Sequence, residues 1–360
     1  MDIALKDNER ENRNYAIDLL KVLGLMGVIL AHVDPPPLVI NLRSFDVTML
    51  VFASSMGFAA SGKNYLDSMG SYFSYIKKRI KRLAVPTWIF LLVYFIFFNV
   101  TNLFKGGQEI NFTNTDYFLS FTFISGIGCV WIIRVYLLMA AIAPFIWTFA
   151  KRLNGTFKGI LSFAVIVIIN ECFVMWLNTE GSIVKKIIEL TFGYIISYGV
   201  VYYSGIRVSC LKLEKEKLLG LTIIFAVIFY ILMAFFKFPM INEMKYPPRL
   251  LYISYGMTAS LSILTICGYL QKWFRGGVIC KYVIFLSKNT LTIYFIHIFL
   301  VRSLEYGLIS LGRFDNWIVR YIFTSGIAVI ITVIYRKVEY NVKHLVKERI
   351  KAKQGSNHNG

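Results

Sequence analysis

Residues 16–33 read AIDLLKVLGLMGVILAHV, an apolar run broken by only three ionisable side chains, Asp18, Lys21 and His32. A helix of this length reaches about 27 Å, close to the hydrocarbon thickness of a bilayer. Ionisable groups in hydrocarbon are costly unless protein surrounds them, so all three are candidate functional residues. The eleven steps from Lys21 to His32 make about three helical turns, which puts both on one face roughly 16 Å apart. A cation near one membrane surface and an imidazole near the other outline a path across the bilayer.

The rest of the chain repeats the pattern. Of 360 residues 57% are hydrophobic, with 30 Phe and 22 Tyr, and apolar runs of spanning length recur near 16–33, 45–61, 83–100, 129–150, 157–177, 183–203, 217–237, 250–270, 279–301 and 317–335. The expected fold is an all-α integral-membrane bundle of about ten transmembrane helices. It forms a single membrane domain over 1–340, with a basic, polar cytoplasmic tail over 341–360, of which the last ten residues, KAKQGSNHNG, are expected to be disordered. The first run is no cleavable signal peptide, because it lacks a small-residue cleavage site and keeps its polar trio.

A net charge of +19 could suggest nucleic acid, but its placement argues otherwise. With ten spans and an inside amino terminus, and with charged run ends counted in the segments they adjoin, 26 of the 39 Lys and Arg fall in inside segments and 9 in outside ones. That is the positive-inside rule, and it places both termini in the cytoplasm. Cys129, Cys172, Cys210, Cys267 and Cys280 have no paired spacing and read as small hydrophobes; no metal site is expected. No Gly-rich phosphate loop, HExxH, GxSxG or internal repeat is present.

A second cluster is YIKKRIKRLAVP, residues 75–86. Lys77, Lys78 and Lys81 serve as a positive-inside anchor. Arg79 and Arg82 are three apart on one helix face, and guanidinium forks suit phosphates, so an anionic cytoplasmic ligand is the alternative for them. Asp18, Lys21, Arg79 and Arg82 belong to the cytoplasmic half. His32, Asp34, Asp46, Arg134, Glu171, Glu189 and His297 fall in the outer half of their runs or just beyond.

The opening RNYAIDLLKVLGLMGVILAH (13–32) resembles the first span of the membrane-bound acyltransferase 3 family, whose hallmark is Arg or Lys, ten residues, then His. Lys21 and His32 satisfy it. The family's Arg-x-x-Arg shortly before Pro is met by Arg79, Arg82 and Pro86, and MGFAASG (56–62) resembles its small-residue run. GCVWIIRVYLLMAAIAP (128–144) resembles a segment usually written Gly-His-Leu-Trp-Phe-Leu, and FLSKNTLTIYFIHIFLVR (285–302) the penultimate span. Cys129 departs from the pattern by standing where many members have His. The fused extracytoplasmic domain of some members is not expected here.

The resemblance implies transfer of an acyl group, usually acetyl, from cytoplasmic acyl-CoA as co-substrate to a hydroxyl of an extracytoplasmic or lipid-linked glycan. It also implies a multi-pass protein of a bacterial cell membrane with no bound cofactor. Lys21, Arg79 and Arg82 would hold the acyl-CoA. His32 would take the hydroxyl proton, since sugar hydroxyls are poor nucleophiles near pH 7 and an imidazole titrates there. A transient acyl-His relay is the alternative chemistry.

Asp18, fourteen residues from His32, is too far along the helix to touch it and pairs more naturally with Lys21. Asp34, Asp46 and Glu171 are open choices for the acid that orients the ring. Trp131 and Arg134 are acceptor-side candidates, with an interfacial-belt role as the alternative for Trp131. Glu171, beside Asn170, is expected to face the bundle interior, and His297 fits packing and function equally. Pro247-Pro248 makes a rigid turn to which no chemistry is assigned. A transporter or flippase for a glycan or lipid precursor is the competing function, disfavoured by the absence of a repeat pairing the two halves.

Overall fold

Asn14 starts the first helix, its side chain accepting the Ala16 N–H at 3.1 Å, and α1 runs from Tyr15 to Ala31. The computed structural model describes residues 14–105, 112–153, 155–177, 183–211, 213–269, 277–312 and 315–356. Three consecutive prolines, Pro35 to Pro37, stop α1 from continuing. Asp34 turns the chain with φ 53°, and Pro37 then opens a short α2, Pro37–Leu42, at the helix position where a missing N–H costs nothing. The chain returns as α3, Asp46–Ala60, antiparallel to α1.

The remaining helices are α4 Met69–Phe104, α5 Asn114–Phe121, α6 Trp131–Arg152, α7 Thr156–Leu177, α8 Ile183–Ile188 and α9 Tyr194–Leu211. They are followed by α10 Lys215–Phe235, α11 Leu250–Tyr269, α12 Val278–Lys288, α13 Thr290–Glu305 and α14 Trp317–Ser356. Among the described residues there is no β-strand.

Helix α3 sits at the centre. The 37–60 and 250–269 segments each bury 61% of their most apolar stretch, against 11% for α10 and 17% for the 157–177 and 317–346 segments. The last three therefore present their apolar faces outward, as helices do in lipid. Small residues allow the close approach at the centre, as expected where the hydrophobic effect does not drive helices together. A Cβ on Gly24 would lie 2.6 Å from Leu50 Cγ, and one on Gly27 3.1 Å from Asp46 Cβ. Gly205 of α9 and Gly256 of α11 meet Ser55 and Thr48 of the same central helix.

Seven described helices are long and apolar enough to cross a membrane, or eight if the pair Val278–Lys288 and Thr290–Glu305, bent by 74°, counts as one span. Ten runs were expected, and three departures have local causes. Helix α1 is only 17 residues long because the prolines cut it short. The 183–203 run is divided by a π-helical segment, Glu189–Gly193. The 279–301 run breaks at Asn289, whose side chain donates to the Phe285 carbonyl at 2.8 Å and accepts from Arg336. Of the 351–360 stretch expected to be disordered, residues 351–356 are instead helical. Helix α14 continues without a break through residue 340 to Ser356, and residues 357–360 lie outside the described part.

Candidate active site

His32 caps the C-terminus of α1, its N–H bonded to the Ile29 carbonyl at 3.0 Å. Its ring folds back onto the same helix, with Nδ1 2.8 Å from the Val28 carbonyl oxygen. A carbonyl can only accept, so this bond fixes the proton on Nδ1 and leaves the Nε2 lone pair as the basic nitrogen. The bent span brings a second imidazole against it. His297 of α13 is completely buried, its Nε2 lies 3.4 Å from His32 Nδ1, and the ring centroids are 5.3 Å apart. Tyr294, one turn earlier on α13, packs its ring 5.1 Å from that of His297 and donates its hydroxyl to the Cys129 carbonyl at 2.5 Å.

A buried ionic cluster sits beside this pair, against Gly27 of α1. The Asp46 carboxylate accepts from Arg43 at 2.5 Å, from Lys245 at 3.3 and 3.5 Å, from the Tyr252 hydroxyl at 3.3 Å and from the Val47 N–H at 2.7 Å. Arg43, Asp46 and Lys245 are 7%, 1% and 3% exposed. Two cations against one carboxylate leave a surplus positive charge in a dry setting, which is the complement of an anion. The Arg43 Nε, buried, has no hydrogen-bond partner among the described residues. Lys245 also lies over aromatic rings, 5.4 Å from the centre of Trp131, 5.6 Å from Tyr246 and 5.9 Å from Tyr252.

Of the acids considered for orienting His32, none does so. Asp34 pairs with Arg320 at 2.9 Å, and Asp46 is committed to its two cations. Glu171 holds the start of α11, accepting from the Leu250 N–H at 2.6 Å and facing Arg249 at 3.5 Å. It thus caps exposed N–H groups at the start of α11. The orienting group is the Val28 carbonyl, one helical turn before His32, invisible to any search for carboxylates. Trp131 joins the site through Lys245 and through Tyr246, whose ring is 5.1 Å away. Arg134 stands at its edge, 4.9 Å over the Tyr194 ring and bonded to the Ile124 carbonyl, so it ties the 122–130 loop to α6.

The other predicted group gathers at the opposite end of α1. Asp18, 3% exposed, accepts from the Ser287 hydroxyl at 2.5 Å. Lys21 lies along Gly57 of α3, its Nζ 3.9 Å from where a Cβ would stand. Arg79 is half-buried over the Tyr75 ring at 5.1 Å, and Arg82, one turn on, is exposed. This end therefore presents cations to solvent while the His32 end encloses them.

Arg43, Lys245, Tyr252 and Tyr294 were missed as site residues in the sequence. The available signal was Arg43 three residues before Asp46 at the mouth of an apolar run, and a lysine ahead of the 246–248 turn. Among the described residues no group of three or more His, Cys, Asp or Glu side chains is placed to hold a metal ion. In comparisons with known proteins, the family model described as an acyltransferase domain matches residues 14–337. No curated protein matches, and no solved structure does.

Proposed function

Because the chain belongs to the acyltransferase 3 family, a family of multi-pass membrane acyltransferases, we propose that it moves an acyl group, acetyl in the first instance, from cytoplasmic acyl-CoA to a hydroxyl of an extracytoplasmic or lipid-linked glycan. The observation that carries this reading is the His32–His297 pair, enclosed at one end of the bundle while Arg79 and Arg82 stand at the other. In this reading ten spans, counting α1 and the divided 183–211 stretch, keep both termini in the cytoplasm. The Arg79 and Lys21 end then faces the donor and the His32 end the acceptor.

The chemistry follows from the tautomer. With Nδ1–H held by Val28, His32 Nε2 removes the proton from the acceptor hydroxyl as its oxygen bonds to the thioester carbonyl carbon. The carbonyl π electrons move onto oxygen, and the surplus charge of the Arg43–Asp46–Lys245 cluster favours that oxyanion. Collapse of the intermediate breaks the carbon–sulfur bond. The CoA thiolate leaves with the electron pair and takes the proton from the His32 imidazolium. His297 packs on the His32 ring and holds it in place.

Mass spectrometry of surface glycans from cells with and without the gene tests the reading. Ester-linked acyl groups should disappear without the gene and return when the parent protein is supplied. Unchanged acylation with lost glycan export would replace the enzyme by a transporter.

A further inference from the structure

The contact between His32 and His297 has a polarity that the structure fixes. His32 Nδ1 lies 2.8 Å from the Val28 carbonyl, which can only accept, so this nitrogen carries a proton. The same nitrogen lies 3.4 Å from His297 Nε2. His297 is completely buried and pairs with no carboxylate among the described residues, so its ring is neutral. Two N–H groups pointed at each other across that distance would repel. His297 therefore turns a lone pair toward His32 and keeps its own proton on Nδ1. The groups bearing on the ring from its own helix suit that proton. They are the main-chain carbonyls of Ile293 and Tyr294, although neither closes a hydrogen bond of ordinary geometry.

This arrangement meets a difficulty in the reaction itself. When His32 Nε2 takes the hydroxyl proton, the ring becomes a cation in a dry setting. The neighbouring Arg43, Asp46 and Lys245 already carry a surplus positive charge, so the cluster that favours the oxyanion opposes the imidazolium. Serine hydrolases answer the equivalent need with a buried carboxylate on the far nitrogen of the histidine. Here the carboxylates are bound elsewhere, Asp34 to Arg320, Asp46 to Arg43 and Glu171 to the Leu250 N–H. What the far nitrogen has instead is two neutral acceptors sharing one N–H, the Val28 carbonyl and the His297 lone pair. Val28 belongs to the helix that His32 caps. His297 comes from α13, beyond the 74° bend, and is there only because the chain folds that way.

Resting on the acyl-transfer reading above, we propose that His297 is a positioning residue of the reaction, whose Nε2 lone pair accepts from His32 Nδ1–H and offsets the charge that appears on the His32 ring. The acceptor O–H bond breaks as the His32 Nε2–H bond forms. The Nδ1 proton stays on His32, its hydrogen bond to His297 tightens, and no proton passes to His297. The Nε2 proton then leaves with the CoA thiolate. His297 acts only through His32.

Two measurements on the full chain test this. Solid-state nitrogen NMR of protein carrying isotopically labelled histidine, in nanodiscs near neutral pH, reads both tautomers without substrate. The two resonance sets are assigned by their loss in His32→Gln and His297→Gln. Both rings should hold the proton on Nδ1 and leave Nε2 bare. A His297 ring protonated on Nε2, alone or together with Nδ1, overturns the proposal, whether or not any variant folds.

The second measurement uses membranes from cells expressing each variant, with radiolabelled acetyl-CoA varied and the membranes' own glycan as acceptor. His297→Phe keeps a buried ring without an acceptor. Its Vmax per inserted protein should fall about tenfold or more, the scale of a hydrogen bond to a charged group, with KM for acetyl-CoA within about twofold of the parent. His297→Gln, whose amide oxygen can accept from His32, should run at least about threefold faster than His297→Phe. Parental Vmax in His297→Phe, a change confined to KM, or a glutamine variant no faster than the phenylalanine one overturns the positioning role. Parent membranes that transfer no label overturn the acyl-transfer reading itself, an outcome distinct from each of these.

Discussion

The two ends of α1 carry the same kinds of side chain in opposite settings. At the His32 end Arg43, Asp46, Lys245 and His297 are all less than 10% exposed, and each is tied to named partners. At the Lys21 end Lys77, Lys78, Lys81 and Arg82 are exposed. A buried charge must be paired or the fold suffers, whereas an exposed one is screened by water and salt and contributes little to stability. Substitutions at the first end should therefore have abrupt effects that ionic strength does not modify, and those at the second graded, salt-sensitive effects confined to binding. The same contrast fits the division of labour proposed for them. A transferring acyl group needs a dry, preorganised setting, while a soluble donor needs an accessible mouth.

The largest expected effect is at His32. His32→Ala, in protein that is folded and inserted, should lower acyl transfer by about 10²–10⁴-fold, as for other removed acid–base groups. Donor binding should persist, because the ring lies at the opposite end of α1 from the exposed cations. His32→Gln should be nearly as inactive, having no titratable nitrogen. Incubation with labelled acyl-CoA and no acceptor separates the two chemistries: an unlabelled His32 with direct-transfer kinetics is expected for a general base, and label trapped on His32 would indicate a relay. Near-parental activity of His32→Ala in cells would remove the contrast between the ends altogether.

Next in size is the ionic cluster. Asp46→Ala leaves Arg43 and Lys245 buried without their carboxylate, and such a loss costs about 3–5 kcal/mol. It should show as a marked drop in the thermal midpoint of the purified protein. A triple replacement, Arg43→Met/Asp46→Leu/Lys245→Met, should recover most of that stability and remain inactive, since it removes charge and desolvation cost together. Recovery of activity with stability would reduce the cluster to packing.

A smaller effect is expected at the donor mouth. Arg79→Ala and Arg82→Ala should each weaken acyl-CoA binding by roughly fivefold, corresponding to about 1 kcal/mol. The thermal midpoint should not move, and the difference from the parent should shrink as salt rises. Calorimetric titration at two ionic strengths checks this. An Arg82→Ala variant as unstable as Asp46→Ala would mean that the two ends do not differ as described.

How much of this was legible in the sequence follows the same division. Lys21, Arg79 and Arg82 could be placed from helical spacing and flanking charge, because local pattern governs cations at the end of an apolar run. His32 stood out as an imidazole in a hydrophobic span. Its partners did not, because they come together only in three dimensions: His297 is 265 residues away and Lys245 is 199 residues from Asp46. The bend that delivers His297 depends on Asn289 and Arg336, 47 residues apart, and no periodicity records it. Glu171 and Asp34 look catalytic as isolated carboxylates near the outer mouth, yet they complete a helix cap and a surface ion pair with residues 79 and 286 positions away.

The smallest expected effect concerns Cys129, the position at which this chain departs from the family's usual histidine. Cys129 is buried, but what the site takes from it is its backbone carbonyl, which receives the Tyr294 hydroxyl. Cys129→Ala keeps that carbonyl and removes a small apolar group, so activity should stay within about twofold of the parent and stability should fall by only about 1 kcal/mol. Tyr294→Phe removes the hydroxyl, unpairs the carbonyl and loosens the residue that packs on His297, so it should lower acyl transfer more than Cys129→Ala does while leaving donor affinity alone. Measuring both variants for transfer rate and CoA affinity gives the finest test of the comparison. If Cys129→Ala proves as damaging as Tyr294→Phe, the thiol itself takes part at the His32 end, and backbone atoms such as the Val28 and Cys129 carbonyls do not suffice to define that end.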